Sequence, residues 1–202
     1  MDVTGATTNR PRIGSVAVFC GAQPGHDPAC RAAATALGRG LAQAGLRLVY
    51  GAGSTGMMGA VADGALAAGG EVMGVVPDFL TRLEHSHRRL NECVITDSMH
   101  SRKRLMFDQA DAFVTLPGGL GTFDETIEII TWRQLGLHAK PILICDIGGS
   151  SRPFVALVDA AIAQGYAHAD VRDLFAVTDG VEATLARLTT LTLPAEGASA
   201  LL

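Results

Sequence analysis

One segment of this sequence combines residue types that bind phosphate with a carboxylate that could take part in a reaction. Residues 118–122, Gly-Gly-Leu-Gly-Thr, follow an apolar run and Pro117, and they lead directly to Asp124 and Glu125. Glycines let backbone N–H groups approach a ligand closely, and the first turn of a helix presents unpaired N–H groups at the positive end of its dipole. We therefore expect a phosphate site here, before a helix that starts near Thr122 and keeps Glu125 ionised.

A second segment places positive charge where a helix does not favour it. Arg102, Lys103 and Arg104 lie in the first turns of a predicted helix that begins at Ser98, at the positive end of its dipole. An anion is therefore expected to compensate this charge. The guanidinium of Arg102 can form two parallel hydrogen bonds with a carboxylate, and we predict that it pairs with Glu125. Arg104 is expected to lie on a solvated face.

The helix that carries Glu125 holds two further polar residues of interest. Glu128 lies three residues after Glu125, on the same helical face, and is expected to be a surface partner of Arg133 or Arg102. Thr131 lies near that face too. Its side chain is predicted either to contact a ligand or to pack against the protein.

Around these segments, apolar runs of strand length alternate with longer stretches of helical period. This alternation predicts an α/β fold, with a Rossmann-like, doubly wound, mostly parallel sheet and helices on both faces. Strands are predicted at 15–20, 46–50, 71–76, 93–96, 112–116, 141–146 and 174–177, and helices at 28–44, 60–68, 98–109, 122–137, 153–164 and 181–191. The expected organisation is a flexible arm at 1–12, a single nucleotide-binding domain at 13–193 and a disordered tail at 194–202.

The turns that follow the predicted strands are expected to share one cleft, because ligands collect at the carboxyl ends of parallel strands. One of these turns, the glycine-rich run 51–59, satisfies G-x-G-x-x-G. It follows the second strand, and no acidic residue ends a strand about 20 residues later, so a dinucleotide fingerprint is not supported. Two interpretations stay open, a tight turn with close helix packing or contact with phosphate or ribose. The candidate phosphate-loop residues are Gly53, Ser54, Thr55 and Gly56.

Composition limits the classes of binding partner and the cellular compartment that we expect for this protein. The formal net charge is -4 and no basic stripe is interleaved with aromatic residues, which argues against a nucleic-acid partner. No stretch is long and apolar enough for a membrane span, and the first residues carry no apolar signal core. The four cysteines lack paired spacing, so we expect reduced thiols and a cytoplasmic location. His85 and His87 have no third ligand at a fitting spacing, so no metal is expected.

The two chemistry-bearing segments together resemble the signatures of a known family. Residues 117–125 match P-G-G-x-G-T-x-x-E, and residues 99–103 match M-H-x-R-K. Both are signatures of the LOG (Lonely guy) family, the cytokinin riboside 5'-monophosphate phosphoribohydrolases, and the likeness extends from Cys20 to Pro141. The family's C-G-S-S is Cys-Gly-Ala-Gln at 20–23, which removes two hydroxyls that could contact phosphate. The family's G-G-G-x-x-G-L-M-G also differs slightly at 51–59.

The resemblance implies a Rossmann-like enzyme that activates cytokinins. Its reaction would be hydrolysis of the N-glycosidic bond of N6-modified adenosine 5'-monophosphates, and of AMP, to free base and ribose 5-phosphate, with no cofactor. Arg102 and Glu125 would be the catalytic pair. The positions that would contact the nucleotide are Glu84, Arg102, Lys103, Gly118, Gly119, Leu120, Gly121, Thr122, Phe123, Asp124, Glu125 and Thr131.

The family resemblance also implies a homodimer, and one helix offers a face for it. Ile127, Ile130, Trp132 and Leu135 spread over more than one side of the helix predicted at 122–137. A helix that is apolar on two sides can pack on its own core and on a partner. We therefore predict that this helix and the preceding one form a dimer face.

Two other functions compete with hydrolysis. The first is a non-catalytic nucleotide or pterin-cofactor carrier of the same superfamily, which the presence of both Arg102 and Glu125 disfavours. The second is the lysine decarboxylase label that some relatives carry. That chemistry normally uses a lysine that holds pyridoxal phosphate, and the chain contains only Lys103 and Lys140. Hydrolysis itself leaves one role unfilled, because no second carboxylic acid is evident to protonate the leaving base.

Overall fold

The computed structural model describes residues 12–81, 87 and 89–192. The predicted tail at 194–202, and all of the predicted arm except Arg12, lie outside these residues. Arg12 forms an isolated antiparallel bridge with Thr192, so the two ends of the described chain meet. None of the described helices is both long and apolar enough to cross a membrane.

Among the described residues, seven strands form one sheet in the order β4-β3-β2-β1-β5-β6-β7, and every neighbouring pair is parallel. The strands are β1 (Ser15–Phe19), β2 (Arg47–Tyr50), β3 (Val72–Pro77), β4 (Glu92–Thr96), β5 (Ala112–Thr115), β6 (Ile142–Asp146) and β7 (Ala176–Asp179). The helices are α1 (Pro28–Gln43), α2 (Gly56–Ala67), α3 (Asp78–Thr81), α4 (Met99–Asp108), α5 (Leu120–Gln134), α6 (Arg152–Ala163) and α7 (Gly180–Thr190). The strand order reverses direction at β1, which confirms the predicted doubly wound fold.

Three elements have a boundary that differs from the sequence prediction by more than one residue. Helix α2 begins at Gly56, four residues early, because glycine at a positive φ of 63° enters the helix instead of delaying it. Helix α5, which was predicted at 122–137, begins earlier, at Leu120, and also ends earlier, at Gln134. Strand β7 starts two residues late because a 3₁₀ helix, Ala169–Leu174, occupies the residues before it.

Strand residues alternate between two cores, one on each face of the sheet. Val16 and Val18 pack with buried residues of α1, α2 and α7, whereas Ala17 and Phe19 pack with buried residues of α4, α5 and α6. Successive side chains of a strand point to opposite faces, so one five-residue strand serves both cores. This continuous apolar burial is typical of a parallel sheet that is covered on both sides.

Helices α1 and α2 pack closely at two glycines. A Cβ atom on Gly38 would lie 1.9 Å from the Val61 carbonyl oxygen, and one on Gly64 would lie 2.2 Å from the Thr35 carbonyl oxygen. Both obstacles are backbone atoms of the facing helix, which cannot turn away from an added methyl group. The distance between the two helices therefore depends on these glycines.

We expect the Gly64→Ala substitution to lower the free energy of unfolding by about 2 kcal/mol, because the added methyl group separates α1 from α2. Urea denaturation followed by circular dichroism measures this. The matched control is Gly40→Ala in α1, whose added Cβ would meet the Cδ1 atom of Leu185, the free end of a side chain that can rotate. An equal loss in the two variants would contradict the close-packing explanation.

His138 lies between α5 and β6 and is buried in its neutral form. Its Nε2 atom lies 2.8 Å from the Ile129 carbonyl oxygen, and its Nδ1 atom accepts the Lys140 backbone N–H at 3.1 Å. A ring that carries its single proton on Nε2 satisfies both contacts. Burial lowers the pKa of His138, the Ile129 carbonyl opposes this shift, and the charges of Lys140 and Arg133 reinforce it.

We expect the contribution of His138 to stability to be complete above its ordinary pKa of 6.5 and to be lost as the pH falls towards its lower folded pKa. The unfolded chain takes up the proton first, so acid favours unfolding in this interval. Urea denaturation of the wild type and of His138→Gln at several pH values tests this. The variant is expected to be less stable at neutral pH and to show a flatter pH dependence; identical slopes would contradict the prediction.

Candidate active site

A cavity of about 680 Å³ opens at the carboxyl ends of β1, β2 and β5. This volume lies in the usual range for small-molecule sites. The turns that the sequence predicted to converge all reach it: Gly21 follows β1, Gly51 follows β2, Arg102 lies on α4, and residues 117–122 with Glu125 follow β5. The expectation of one shared cleft is confirmed.

Arg102 and Glu125 form a buried ion pair in the wall of this cavity. Each residue is 8% exposed. The Nη1 atom of Arg102 donates to Oε1 of Glu125 at 2.9 Å, and its Nε atom donates to the Val75 carbonyl oxygen at 3.1 Å. The pairing predicted from sequence is present, and the second bond to β3 holds the guanidinium, and with it the carboxylate, in one orientation.

Gly51 makes room for that guanidinium. A Cβ atom at this position would lie 2.2 Å from Nη2 of Arg102 and 3.0 Å from Sδ of Met58. Any other residue would push Arg102 from the position in which it holds Glu125. Gly51 was predicted only as part of a turn, so its contact with Arg102 was not expected from the sequence.

Burial acts on Glu125 in addition to the helix dipole that was considered from the sequence. It raises the pKa of Glu125 above its ordinary value. The Arg102 charge and hydrogen bond oppose this shift, and the neighbouring Asp124 carboxylate adds to it. Glu125 is therefore a carboxylate that binds a proton more readily than an exposed one, and Arg102 is the partner that favours its charge.

The first turn of α5 presents backbone donors to the same cavity. Gly119 is its N-cap, and Phe123 N–H donates to the Gly119 carbonyl oxygen at 3.1 Å. The N–H groups of Leu120, Gly121 and Thr122 precede this bond and have no acceptor within the helix. All three residues line the cavity, as do the two glycines before them. The early start of α5 thus brings donors and dipole to the cavity wall, an arrangement that suits an anion.

The helix start that follows the other glycine-rich turn uses its backbone N–H groups for hydrogen bonds within the protein. The N–H groups of Met57 and Met58, at the start of α2, both donate to the Gly21 carbonyl oxygen, at 3.1 and 3.2 Å. These bonds join the turn after β1 to α2, so the two donors are occupied. The candidate phosphate-loop residues Gly53, Ser54, Thr55 and Gly56 are not among the described residues that line the cavity.

Lys103, which follows Arg102 in the motif, pairs with carboxylates of α5. Its Nζ atom lies 3.2 Å from Oδ2 of Asp124 and 3.1 Å from Oε1 of Glu128. Glu128 was expected to pair with Arg133 or Arg102, and that prediction is wrong. Burial works to lower the pKa of Lys103, but the two acidic partners outweigh it and raise the pKa. These ion pairs link α4 to α5 beside the Arg102–Glu125 pair.

Two further predicted contact residues have contacts within the protein itself. The Thr131 hydroxyl donates to the Ile127 carbonyl oxygen within α5, at 2.8 Å. The Phe123 ring stacks near Phe154, with ring centroids 6.5 Å apart. Neither residue belongs to the described lining of the cavity.

The histidine pair considered for a metal is only partly described. Glu84 and His85 lie outside the described residues. His87 is buried, and its Nε2 atom lies 3.1 Å from Oδ1 of Asp63, which also accepts a hydrogen bond from Arg89. Within the described part of the chain, no three His, Cys, Asp or Glu side chains are grouped to hold a metal ion.

Beyond Gly21, the turn between β1 and α1 contributes lining residues that were not among the predicted site residues. Cys20, Gln23, His26 and Asp27 line the cavity there. Burial raises the pKa of the Cys20 thiol, and the nearby charge of Glu125 raises it further. The signal that could have found these residues is their position, since the turn after the first strand of a doubly wound sheet lies at the switch point.

The fold and this cavity define a Rossmann-like α/β protein with its site at the switch point of the sheet. Residues 58–188 match the family described as possible lysine decarboxylase. The chain is 39% identical over 180 residues to the cytokinin riboside 5'-monophosphate phosphoribohydrolase of Rhodococcoides fascians, covering 89% of this chain and 91% of that one. It is 43% identical over 165 residues to a probable enzyme of the same name from Oryza sativa subsp. japonica, covering 82% and 74%. The chain therefore belongs to the LOG family, as its two signatures indicated.

Solved structures share the fold at lower identity. The molybdenum cofactor carrier protein of Chlamydomonas reinhardtii matches with a TM-score of 0.66 and 20% identity, covering 88% of this chain and 96% of that one. A molybdenum cofactor binding protein from Rippkaea orientalis matches with a TM-score of 0.64 and 18% identity, covering 90% and 97%. At these identities the likeness shows the Rossmann-like fold alone.

The residues do not fit the decarboxylase description of the family. Lys103 is held by two carboxylates, and Lys140 donates to the Phe107 carbonyl oxygen at 2.7 Å, with its Nζ atom 4.1 Å from the centroid of the Phe107 ring. Neither lysine is among the described residues that line the cavity. A lysine that forms a Schiff base with pyridoxal phosphate would have to reach that space.

Proposed function

We propose that this protein hydrolyses the N-glycosidic bond of N6-modified adenosine 5'-monophosphates, releasing the free base and ribose 5-phosphate. The observation that carries the proposal is the buried Arg102–Glu125 pair, which shares a cavity with the free N–H groups at the start of α5. A phosphate site and a fixed carboxylate within one cavity suit a substrate that carries both a phosphate and a glycosidic bond. The names of the curated relatives support the same reaction.

In the proposed complex, the N–H groups of Leu120, Gly121 and Thr122 hold the 5'-phosphate, and Glu125 faces the ribose. Cleavage builds positive charge at the anomeric carbon, which a nearby carboxylate stabilises. Because burial raises the pKa of Glu125, this carboxylate also takes a proton from the attacking water more readily than an exposed one. Arg102 keeps the carboxylate in place and ionised. Contacts to Glu84 and Thr131 remain predictions.

Incubation with isopentenyladenosine 5'-monophosphate and with AMP, followed by chromatography of the products, tests the proposal. We expect free base and ribose 5-phosphate in equal amounts. The matched control is isopentenyladenosine, which lacks the phosphate and is expected to be hydrolysed much more slowly, because it cannot use the donors of α5. Absence of base from both nucleotides would contradict the proposed function.

A carrier that binds its ligand without turnover is the weaker candidate. The carrier proteins resemble this chain in fold alone, at 18% to 20% identity, whereas the relatives named as phosphoribohydrolases reach 39% and 43%. A carrier also has no need for a buried carboxylate that is held by two elements of the fold. Binding of the nucleotide with no release of base would favour the carrier.

We also propose a homodimer in the cytoplasm, formed through the exposed apolar stripe of α5. The stripe comprises Leu120, Phe123, Ile127 and Leu135, of which Leu120 is 86% and Leu135 67% exposed. Ile130, one of the apolar residues predicted to cover more than one side of this helix, is buried in the core of the protein itself. The four cysteines are free, as a reducing compartment requires.

We expect light scattering to give twice the chain mass of 21.0 kDa for the wild type. The Ile127→Asp substitution is expected to give a monomer, because it buries a charge in the centre of the stripe. Leu157→Asp is the control, since Leu157 is 58% exposed on α6, away from the stripe. A wild-type monomer, or dissociation by the control alone, would contradict the proposed interface.

A further inference from the structure

The proposed hydrolysis needs a proton donor for the departing base, and the cavity offers few. Adenine leaves a sugar readily only when a ring nitrogen is protonated as the bond breaks. Glu125 cannot serve both ends of the bond, since a carboxylate that faces the attacking water lies on the opposite side from the leaving group. The donor must therefore come from a second element that lines the same cavity.

Among the described residues that line the cavity, six have titratable side chains: Cys20, His26, Asp27, Cys30, Arg102 and Glu125. Burial raises the pKa of both thiols, which makes each a weaker proton donor than a free cysteine. Arg102 does not lose a proton in proteins. Asp27 accepts the Ala29 N–H at 2.8 Å as the N-cap of α1, a role that uses its carboxylate form.

The position of His26 suits the missing role. It lies in the turn between β1 and α1, whereas Arg102 and Glu125 come from α4 and α5. The turn is anchored at both ends, by the Gly21 N–H bond to the Pro117 carbonyl oxygen at 3.1 Å and by the helix cap that Asp27 forms. The imidazole is exposed, so it can regain a proton from water after each turnover. Imidazole is also the side chain that most readily gives and takes protons near neutral pH.

We propose that His26 is the general acid that protonates the departing base. This inference rests on the proposed hydrolase function. The C1'–N bond breaks, its electron pair passes to the base, and the imidazolium of His26 donates its proton to a ring nitrogen of that base. The water oxygen bonds to C1' and gives its proton to Glu125. The protein returns to its initial state when Glu125 loses this proton and His26 gains one through solvent.

The first test is the His26→Gln variant with isopentenyladenosine 5'-monophosphate as substrate. We expect kcat to fall by about 100-fold, the lower end of the usual contribution of a general acid. The dissociation constant for the product ribose 5-phosphate, measured by calorimetry with this variant, is expected to stay within about 3-fold of the wild type, because the α5 donors remain. The matched control is His168→Gln, since His168 is exposed and lies outside the described lining of the cavity.

A second substrate separates acid catalysis from a general loss of function. In 7-methylguanosine 5'-monophosphate the base already carries a positive charge and departs without protonation, so the variant is expected to lose much less activity on it. An unchanged kcat on the adenine nucleotide, or a loss explained by weaker binding of ribose 5-phosphate, would overturn the assignment of His26. Failure of the hydrolase proposal is distinguishable, because the wild type itself would then release no base.

Discussion

The Glu125→Gln variant is expected to hydrolyse isopentenyladenosine 5'-monophosphate about 10³-fold more slowly than the wild type. The amide keeps the shape of the side chain, and its oxygen can still accept the hydrogen bond from Arg102. It carries no negative charge to stabilise the anomeric carbon, and it cannot take a proton from water. Steady-state release of base measures the loss, and calorimetry with AMP measures binding, which is expected to be retained.

Glu128→Gln is the matched control for this experiment. Glu128 lies on the same helix and pairs with Lys103, but it is not among the described residues that line the cavity. We expect its kcat to stay within about 3-fold of the wild type, because Glu128 lies outside the cavity lining and Lys103 keeps Asp124 as a second partner. A Glu125→Gln enzyme with near-normal turnover would remove the carboxylate from the mechanism and favour a binding function for the cavity.

The second large effect is expected from Arg102→Met, which leaves the Glu125 carboxylate buried without its cation. Breaking a buried pair on one side costs about 3–5 kcal/mol, and we expect urea denaturation to show a loss of that size. Without the Arg102 charge the pKa of Glu125 is expected to rise further, so the protonated, inactive form becomes more populated at neutral pH. Activity is therefore expected to fall by at least about 100-fold, with part of it regained at higher pH.

A double variant tests the cause of the instability. Combining Arg102→Met with Glu125→Gln removes the unpaired charge, so we expect it to be more stable than Arg102→Met alone. Arg104→Met is the control on the same helix, because Arg104 is exposed and pairs with Asp108 one turn away; its effect is expected to stay below about 1 kcal/mol. A double variant as unstable as Arg102→Met would show that lost packing, and not an unpaired charge, is the cause.

Much of the fold was predictable from the sequence, because the patterns that indicate strands, helices and turns are local. Alternating apolar runs and helical stretches indicated the parallel sheet, and the turns after its strands indicated a shared cleft. The boundaries near glycines were less predictable. Gly56 and Gly119 were placed in turns, but Gly56 is the first residue of α2 and Gly119 is the N-cap of α5. A residue without a Cβ atom can take these positions in conformations that other residues rarely adopt.

The sequence by itself determined the family, the fold class and the pairing of Arg102 with Glu125, because two motifs at a fixed separation specify chain positions on neighbouring elements. Only the tertiary structure decided the proton affinity, the orientation and the hydrogen-bond partners of the groups at the site. The raised pKa of Glu125 depends on the residues that bury it. The orientation of Arg102 depends on the Val75 carbonyl oxygen and on the space at Gly51. The first N–H groups of α2 donate to the Gly21 carbonyl oxygen. Desolvation and hydrogen-bond partners are properties of residues distant in sequence, and no local pattern records them.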